Sequence, residues 1–387
     1  MKILTITNCP LDPTLGSGKT VLRYSLGLRE RGHTVDVFEP KDYEFLPAAR
    51  RARQLRQALG SWLELPGKVK TSAYDLIEFY GSEFGLALRG GLRRRGGPLL
   101  VAHTNGLELL HRQRERAYLR HDASPLPRLK SAVAGSIVDW VSESTFQLTH
   151  AFVSLCEADR RFVLERKLYA PEMTAVVGPG LDSDFLSLGE PGGNPRDNRV
   201  AFTGSWTPRK GIDHLVGAMS RLLAERPELV LDIYGAHVPE GVILESFPPE
   251  LRRQVAVHPP VTNKELVSGL TRARVFFFPS QYEGYGMAVT EAIRCGCAVV
   301  ATPTGFAAEL ENGREAILCG FDDVDAMVSA IARLLDDEDL RRRIASQAWI
   351  RTQGMTWEAA VVKLESTYAQ WVDEHRRKQP PSGQTLA

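Results

Sequence analysis

Phe276-Phe277-Phe278-Pro279-Ser280-Gln281-Tyr282-Glu283-Gly284-Tyr285-Gly286-Met287-Ala288-Val289-Thr290-Glu291-Ala292 joins three kinds of local order in one run. Residues 275–278 are continuously apolar, the pattern of a parallel strand covered on both faces, and Pro279 ends it. A loop must follow, and Gly284 and Gly286 let its backbone approach a ligand closely. From Met287 the pattern predicts a helix whose free N–H groups and positive dipole end face an anion. A diphosphate suits that position. Glu283 at the loop tip and Glu291 about one turn into the helix direct two carboxylates toward one crevice at different depths. Carboxylates there accept hydrogen bonds from hydroxyls.

Outward from this run, strand-like and helix-like stretches alternate. Strands are expected at 2–7, 34–38, 76–78, 99–103, 151–154 and 174–177, and again from 199–202, with a helix over 19–31 stopped by Gly32-His33. Such alternation predicts an α/β protein built on parallel sheets with crossover helices. At 387 residues the chain exceeds one comfortable core, so two domains are expected. The Pro- and Gly-rich segment 188–198 reads as the hinge, giving domains over 1–190 and 191–356. A last helix over about 357–376 carries Val361, Leu364, Tyr368 and Trp371 on one face.

Charge is balanced, 48 basic against 47 acidic residues, which gives no reason to expect a nucleic-acid partner. Its distribution is uneven: residues 50–130 hold 16 Lys or Arg and 7 Asp or Glu, a net of +9, so the rest carries −8. The five cysteines are odd in number and scattered, and a reducing compartment is expected. Cys295-Gly296-Cys297 reads as buried packing or a redox or metal pair. Residues 1–6 run into a polar loop within a few positions, so no signal peptide is expected, and no apolar run reaches spanning length. A cytoplasmic or peripheral protein follows. Gly16-Ser17-Gly18-Lys19-Thr20 resembles the end of a phosphate-binding Walker loop, but Pro13 stands where its first glycine belongs. Asp182-Ser183-Asp184 is read as a turn, and no cluster offers hard-cation ligands, so no metal is expected.

The Glu–seven residues–Glu arrangement inside Pro279-Ser280-Gln281-Tyr282-Glu283-Gly284-Tyr285-Gly286-Met287, followed by 296–302, resembles the retaining glycosyltransferase family 4. The resemblance extends to Phe202-Thr203-Gly204 with Arg209-Lys210-Gly211, to 231–235, to Asn312-Gly313 and to the tail with Trp357. It implies the GT-B fold: two facing doubly wound Rossmann-like domains, ligand sites at the carboxyl ends of the strands in the cleft between them, and the last helix returning to the first domain.

The resemblance also implies a reaction, transfer of a sugar from a nucleotide diphosphate sugar, UDP-sugar foremost, to a hydroxyl with retention and without a metal or other cofactor. Lys210 matches the family's phosphate lysine. Ser205 stands where the family places an arginine, and Arg209 is the candidate to replace that charge. Glu283 matches the carboxylate near the donor-sugar hydroxyls, and Glu291 the one on the nucleotide ribose. The amides of Tyr285, Gly286 and Met287 are expected on sugar and phosphate, Val261 near the nucleobase, and Gly204 beside the diphosphate. His103 resembles the active-site histidine facing the donor sugar, and Gly16 and Gly18 a mobile glycine loop near the phosphates and acceptor. Phe306 departs from the family's double-glycine loop.

From another class, an inactive sugar- or nucleotide-binding protein of the same fold remains open on Ser205 and Phe306. A retaining phosphorylase would need a much longer chain. Basic clusters at Arg50, Arg51, Arg53 and Arg56, at Arg93, Arg94 and Arg95, and at Arg112, Arg114, Arg116 and Arg120 are interleaved with Leu46, Leu55, Leu59, Trp62, Leu63 and Leu65 in the first cluster. They read either as a contact with an anionic membrane carrying a lipid-linked or phosphorylated acceptor, or as a solvated helix. Polysaccharide, glycolipid or glycoconjugate biosynthesis is the setting expected.

Overall fold

The computed structural model describes the chain apart from Thr14, Ala48, Arg50, Arg51 and residues 120–127, 193–195 and 380–387; within the helices that flank 120–127, the side chains of 114–119 and 128–135 are also not described. Two compact units result, Met1–Pro179 with Trp357–Ala387, and Gly180–Thr356.

In the first unit, β1 (Lys2–Thr7), β2 (Thr34–Phe38), β3 (Leu76–Tyr80), β4 (Leu99–His103), β5 (Ala151–Ser154) and β6 (Thr174–Val176) form one sheet in the order β2-β1-β3-β4-β5-β6. Every pairing is parallel, and β3 and β4 are buried along their whole length. That burial explains why the two strands are mostly apolar, with Glu78 and His103 as the exceptions. Helix Gly16–Glu30 packs on one face beside the terminal helix Trp357–Lys378. Tyr24, Tyr80, Val101 and Val153 there share a core with Val361, Leu364, Tyr368 and Trp371. The apolar stripe read from 357–376 is therefore the seam against the first sheet.

In the second unit, β7 (Asp197–Thr203), β8 (Val230–Tyr234), β9 (Val255–Val257), β10 (Ala273–Phe278), β11 (Ala298–Ala301) and β12 (Ile317–Leu318) form a second parallel sheet, ordered β12-β11-β10-β7-β8-β9. Helices Ile212–Glu225 and Val324–Asp336 pack against each other over its core. Each sheet reverses its direction of growth once, between β1 and β3 in the first and between β7 and β10 in the second. In open α/β sheets ligands collect outside the carboxyl ends of strands at such a reversal.

The division falls ahead of residue 190. The Leu181 N–H donates to Met355 O at 2.9 Å, Asn263 Nδ2 donates to Asp182 Oδ2 at 2.8 Å, and Phe185 is fully buried, so the stretch after Gly180 is already packed into the second unit. Part of the expected hinge, 193–195, lies outside the described residues. Cys295 and Cys297 are buried and free, Cys297 Sγ lying 3.1 Å from Leu270 O, and burial pushes the Cys297 thiol up to about 11. Both serve as packing.

Candidate active site

Strand β10 delivers the site. Phe276, Phe277 and Phe278 are fully buried, and after Pro279 the chain turns inward instead of outward: Ser280 is buried and Glu283 is only 7% exposed. The turn is pinned from β7's side. Gly211 sits at φ +67, and a Cβ there would lie 1.9 Å from Pro279 O, so only glycine lets the segment after Lys210 pass the end of β10. Gln281 N–H donates to Arg209 O at 2.8 Å, which ties the two loops together. The hydroxyl of Thr302 donates to Ser280 O.

These ties bring two cations onto one carboxylate. Lys210 Nζ lies 2.7 Å from Glu283 Oε1, and Arg209 Nη1 lies 3.8 Å from Glu283 Oε2. The Ser280 hydroxyl donates to the same Oε1 at 2.6 Å, leaving Oε2 the more open oxygen. Burial pushes the Glu283 pKa up, but the Lys210 and Arg209 cations and the Lys210 and Ser280 hydrogen bonds outweigh it and hold the carboxyl below its usual range. Glu283 is thus an ionised carboxylate in a nearly dry place. Lys210 also lies 5.2 Å from the centroid of the Phe278 ring.

The other expected residues of the second unit lie in its loops and at its helix starts. Gly204 follows β7 and donates its N–H to Tyr234 O at 2.9 Å; Lys210 folds back over it. Gly286 caps helix Met287–Arg294, so the amides of Met287 and Ala288 open the helix without intrahelical acceptors. Glu291 lies one turn inside that helix and is partly buried. Tyr285 is buried, and its carbonyl accepts from Phe306 N–H at 2.7 Å while the two rings lie 5.5 Å apart. Phe306, where the family pattern has glycine, therefore covers Tyr285 and stiffens the loop that holds Glu283. Val261 is half-buried just before Thr262, whose side chain forms a capping box with Glu265 at the start of helix Asn263–Arg272.

The first unit departs from expectation in two places. His103 ends β4, but the strand's alternation puts it on the face of Val101, inside the sheet's core, and it is fully buried. Its Nε2 is hydrogen-bonded to the Tyr368 hydroxyl and lies 3.3 Å from Glu78 Oε2, while its ring stacks on Tyr80 at 4.2 Å. Tyr368 donates to Glu78 Oε2 and Thr5 donates to Glu78 Oε1 at 2.5 Å. His103 is thus part of a buried network that fixes the terminal helix. Gly16 and Gly18 form the first turn of helix Gly16–Glu30 in place of a loose loop. A Cβ on Gly18 would lie 2.4 Å from Pro10 O, so the glycine serves close packing.

The reversal point of the first sheet holds a pair that the sequence reading did not single out. Asn8, after β1, donates both its amide contacts to Glu83, after β3, at 3.2 and 3.0 Å. Gly81, at φ +122, leaves the room: a Cβ would lie 2.4 Å from Asn8 Nδ2 and 2.5 Å from Glu83 Oε2. Burial pushes the Glu83 carboxyl up to about 7. One local feature marks this unit, Glu78 inside the buried run of β3, and nothing local marks a pairing across 75 positions.

Among the described residues no group of three His, Cys, Asp or Glu side chains is placed to hold a metal, and no helix is long and apolar enough to cross a membrane.

Residues 189–350 match the family model of group 1 glycosyl transferases. The MMP alpha-(1->4)-mannosyltransferase of Mycolicibacterium hassiacum is 27% identical over 91% of this chain and 94% of its own length. The D-inositol 3-phosphate glycosyltransferase of Thermobispora bispora is 25% identical over 87% of this chain and 80% of its own. Sucrose-phosphate synthase from Thermosynechococcus elongatus superimposes with a TM-score of 0.74 at 18% identity, covering 97% of this chain and all of that one. HepE of Anabaena, solved with UDP, gives 0.66 at 17% identity over 96% of this chain and 100% of its own. The chain has the GT-B fold, carries a group 1 glycosyl transferase match over 189–350, and is a glycosyltransferase that takes its sugar from a nucleotide diphosphate donor.

Proposed function

We propose that the chain is a retaining, metal-independent transferase that uses a UDP-sugar and delivers the sugar to a hydroxyl of a polysaccharide, glycolipid or glycoconjugate acceptor. The observation that carries the reading is the convergence of Lys210 and Arg209 on buried Glu283 in front of helix Met287–Arg294. When the donor enters, its diphosphate takes the two cations and the helix amides in place of Glu283. Glu283 Oε2 then accepts from a sugar hydroxyl and favours positive charge at the ring. The bond between the anomeric carbon and the phosphate oxygen breaks, its electron pair passes to that oxygen, and the cations stabilise the charge as it grows. The acceptor attacks on the same face and gives its proton to the departing phosphate. Glu291 holds the ribose, and Val261 borders the base.

Three supports come from similar proteins: one is named for an α-(1→4) transfer, one for D-inositol 3-phosphate, and HepE was solved with UDP. We place the protein in the cytoplasm, peripheral at a membrane surface. Leu55, Trp62 and Leu63 lie outward on helix Arg53–Lys68, with Leu46 beside it. The described arginines carry less of this reading, because Arg56 pairs with Glu44 at 2.6 Å and Arg112 with Glu108 and Asp139 at 3.1 Å each. Arg50, Arg51 and Arg120, and the side chains of Arg114 and Arg116, lie outside the described residues.

Transfer and donor hydrolysis assayed with UDP-, GDP- and ADP-sugars test the reaction. A UDP-sugar should be consumed with full rate in excess EDTA and give the retained anomer by NMR. No turnover of any donor favours the inactive binding protein, and inactivation by EDTA reversed by manganese removes the cation clamp from the mechanism.

A further inference from the structure

The second unit carries a group of four arginines at the opposite end of its sheet from Glu283. Arg196 precedes β7, Arg274 lies at the start of β10, and Arg341 and Arg342 lie in helix Glu338–Arg351. Arg341 is 6% exposed, yet among the described residues its guanidinium makes only long contacts, 3.5 Å to Leu334 O and 3.6 Å to Glu338 Oε1. Arg196 donates to the carbonyls of Leu270, Ala273 and Cys295 at 2.7 to 3.3 Å, and Arg274 to Arg196 O and Asn198 Oδ1. Glu338, itself half-exposed, lies 3.6 Å from Arg341 and also pairs with Arg342. Burial, then the neighbouring Arg274, Arg196 and Arg342 cations, hold the Arg341 pKa below the usual arginine range despite Glu338.

A buried charge with weak partners is costly, and an anion that supplies short hydrogen bonds removes that cost. There is room for one. Arg196, Arg341, Arg342 and Ser346 line a cavity of about 210 Å³ with Pro191 and Gly296. This is below the range of about 300–1,000 Å³ usual for drug-sized ligands, so a phosphate or short phosphomonoester fits and a nucleotide sugar does not. Guanidinium groups suit such an anion because their forked donors match its oxygens two at a time. β10 spans six residues, about 20 Å at the usual strand rise, so this cavity is separate from the donor site at the strand's other end.

We propose that the cavity between Arg196 and the Arg341–Arg342 face of helix Glu338–Arg351 binds a small phosphorylated anion. The site does not depend on the donor reading. Its test is isothermal calorimetry on the full chain with inorganic phosphate and, separately, glycerol phosphate, at constant ionic strength set by chloride. Lys210→Ala serves as background, so that phosphate capture at the donor site is suppressed. Saturable one-site binding is expected there, weakened at least tenfold by either Arg341→Met or Arg342→Gln. Arg342 is half-exposed, so its variant should fold even if the Arg341 variant does not. Phosphate alone binding points to the free ion, and tighter glycerol phosphate binding to an ester. Absence of saturable binding in the Lys210→Ala protein, or undiminished binding in Arg342→Gln, overturns the proposal.

Discussion

Glu283 and Glu83 are both nearly sealed from water, and their neighbours push them in opposite directions. Lys210 and Arg209 keep Glu283 ionised against the penalty of burial, whereas Glu83 has only the Asn8 amide and nearby backbone groups, and burial lifts it to about 7. Lys210→Ala should therefore lower kcat/KM by roughly 2 to 4 kcal/mol of transition-state stabilisation. It should also move the acid limb of the pH–rate profile to higher pH, because Glu283 loses its nearest cation. Unchanged kinetics with an unchanged acid limb would refute the clamp. Glu283→Gln should reduce chiefly kcat, and Glu291→Gln should weaken nucleotide binding, since a ribose contact is made equally before and during reaction. For Glu83 the sign runs the other way. Its folded pKa lies above the unfolded value of 4.5, so the folded state binds the extra proton and stability declines as pH rises from about 4.5 through 7. Glu83→Gln should remove that decline and raise stability at pH 8 by up to about 3 kcal/mol, read from denaturant midpoints at pH 5 and pH 8. Equal slopes in both proteins would show that Glu83 titrates normally.

At the scale of elements, the loops after β7 and β10 act as one piece because Gly211 lets them touch. Gly211→Ala combines a left-handed backbone position with a contact of 1.9 Å to Pro279 O. It should cost at least about 2 kcal/mol of stability and lower kcat/KM, since Lys210 and Glu283 are displaced together. A variant that keeps both stability and rate would mean the loops are held by something else. The strands of the first sheet and the β10–loop–helix unit were legible in the sequence because they rest on local signals: apolar runs, a stopping proline and helix spacing. What was not legible depends on distant partners. The direction of His103 follows from which face of β4 meets Tyr368, 265 positions away. The boundary at Gly180 follows from Leu181 pairing with Met355. Gly18 read as loop because its packing against Pro10 leaves no trace in local composition.

Chain order makes the two units unequal in the whole molecule. The second unit is continuous from Gly180 to Thr356, while the first is completed only by helix Trp357–Lys378. That helix buries Val361, Leu364, Tyr368, Trp371 and Val372. At about 1.5 to 3 kcal/mol per large apolar side chain, their burial is on the order of 10 kcal/mol, comparable with the whole stability of a domain. The helix also supplies the Tyr368 hydroxyl to Glu78 and His103, and without it those two groups would remain beside an open apolar face. A fragment of residues 1–179 should therefore fail to fold. Residues 180–356 carry Lys210, Arg209, Glu283, Glu291 and Val261 on the loops and helix of their own unit. This fragment should fold alone, keep nucleoside diphosphate binding and melt higher when UDP is added, by RT ln(1 + [L]/Kd) in free energy. Sugar transfer should be absent. Circular dichroism of both fragments, with thermal shifts in UDP for the second, decides the matter: a cooperative 1–179 fragment would show that the terminal helix is dispensable. A folded 180–356 fragment indifferent to UDP would show that the second unit does not hold the donor's nucleotide by itself.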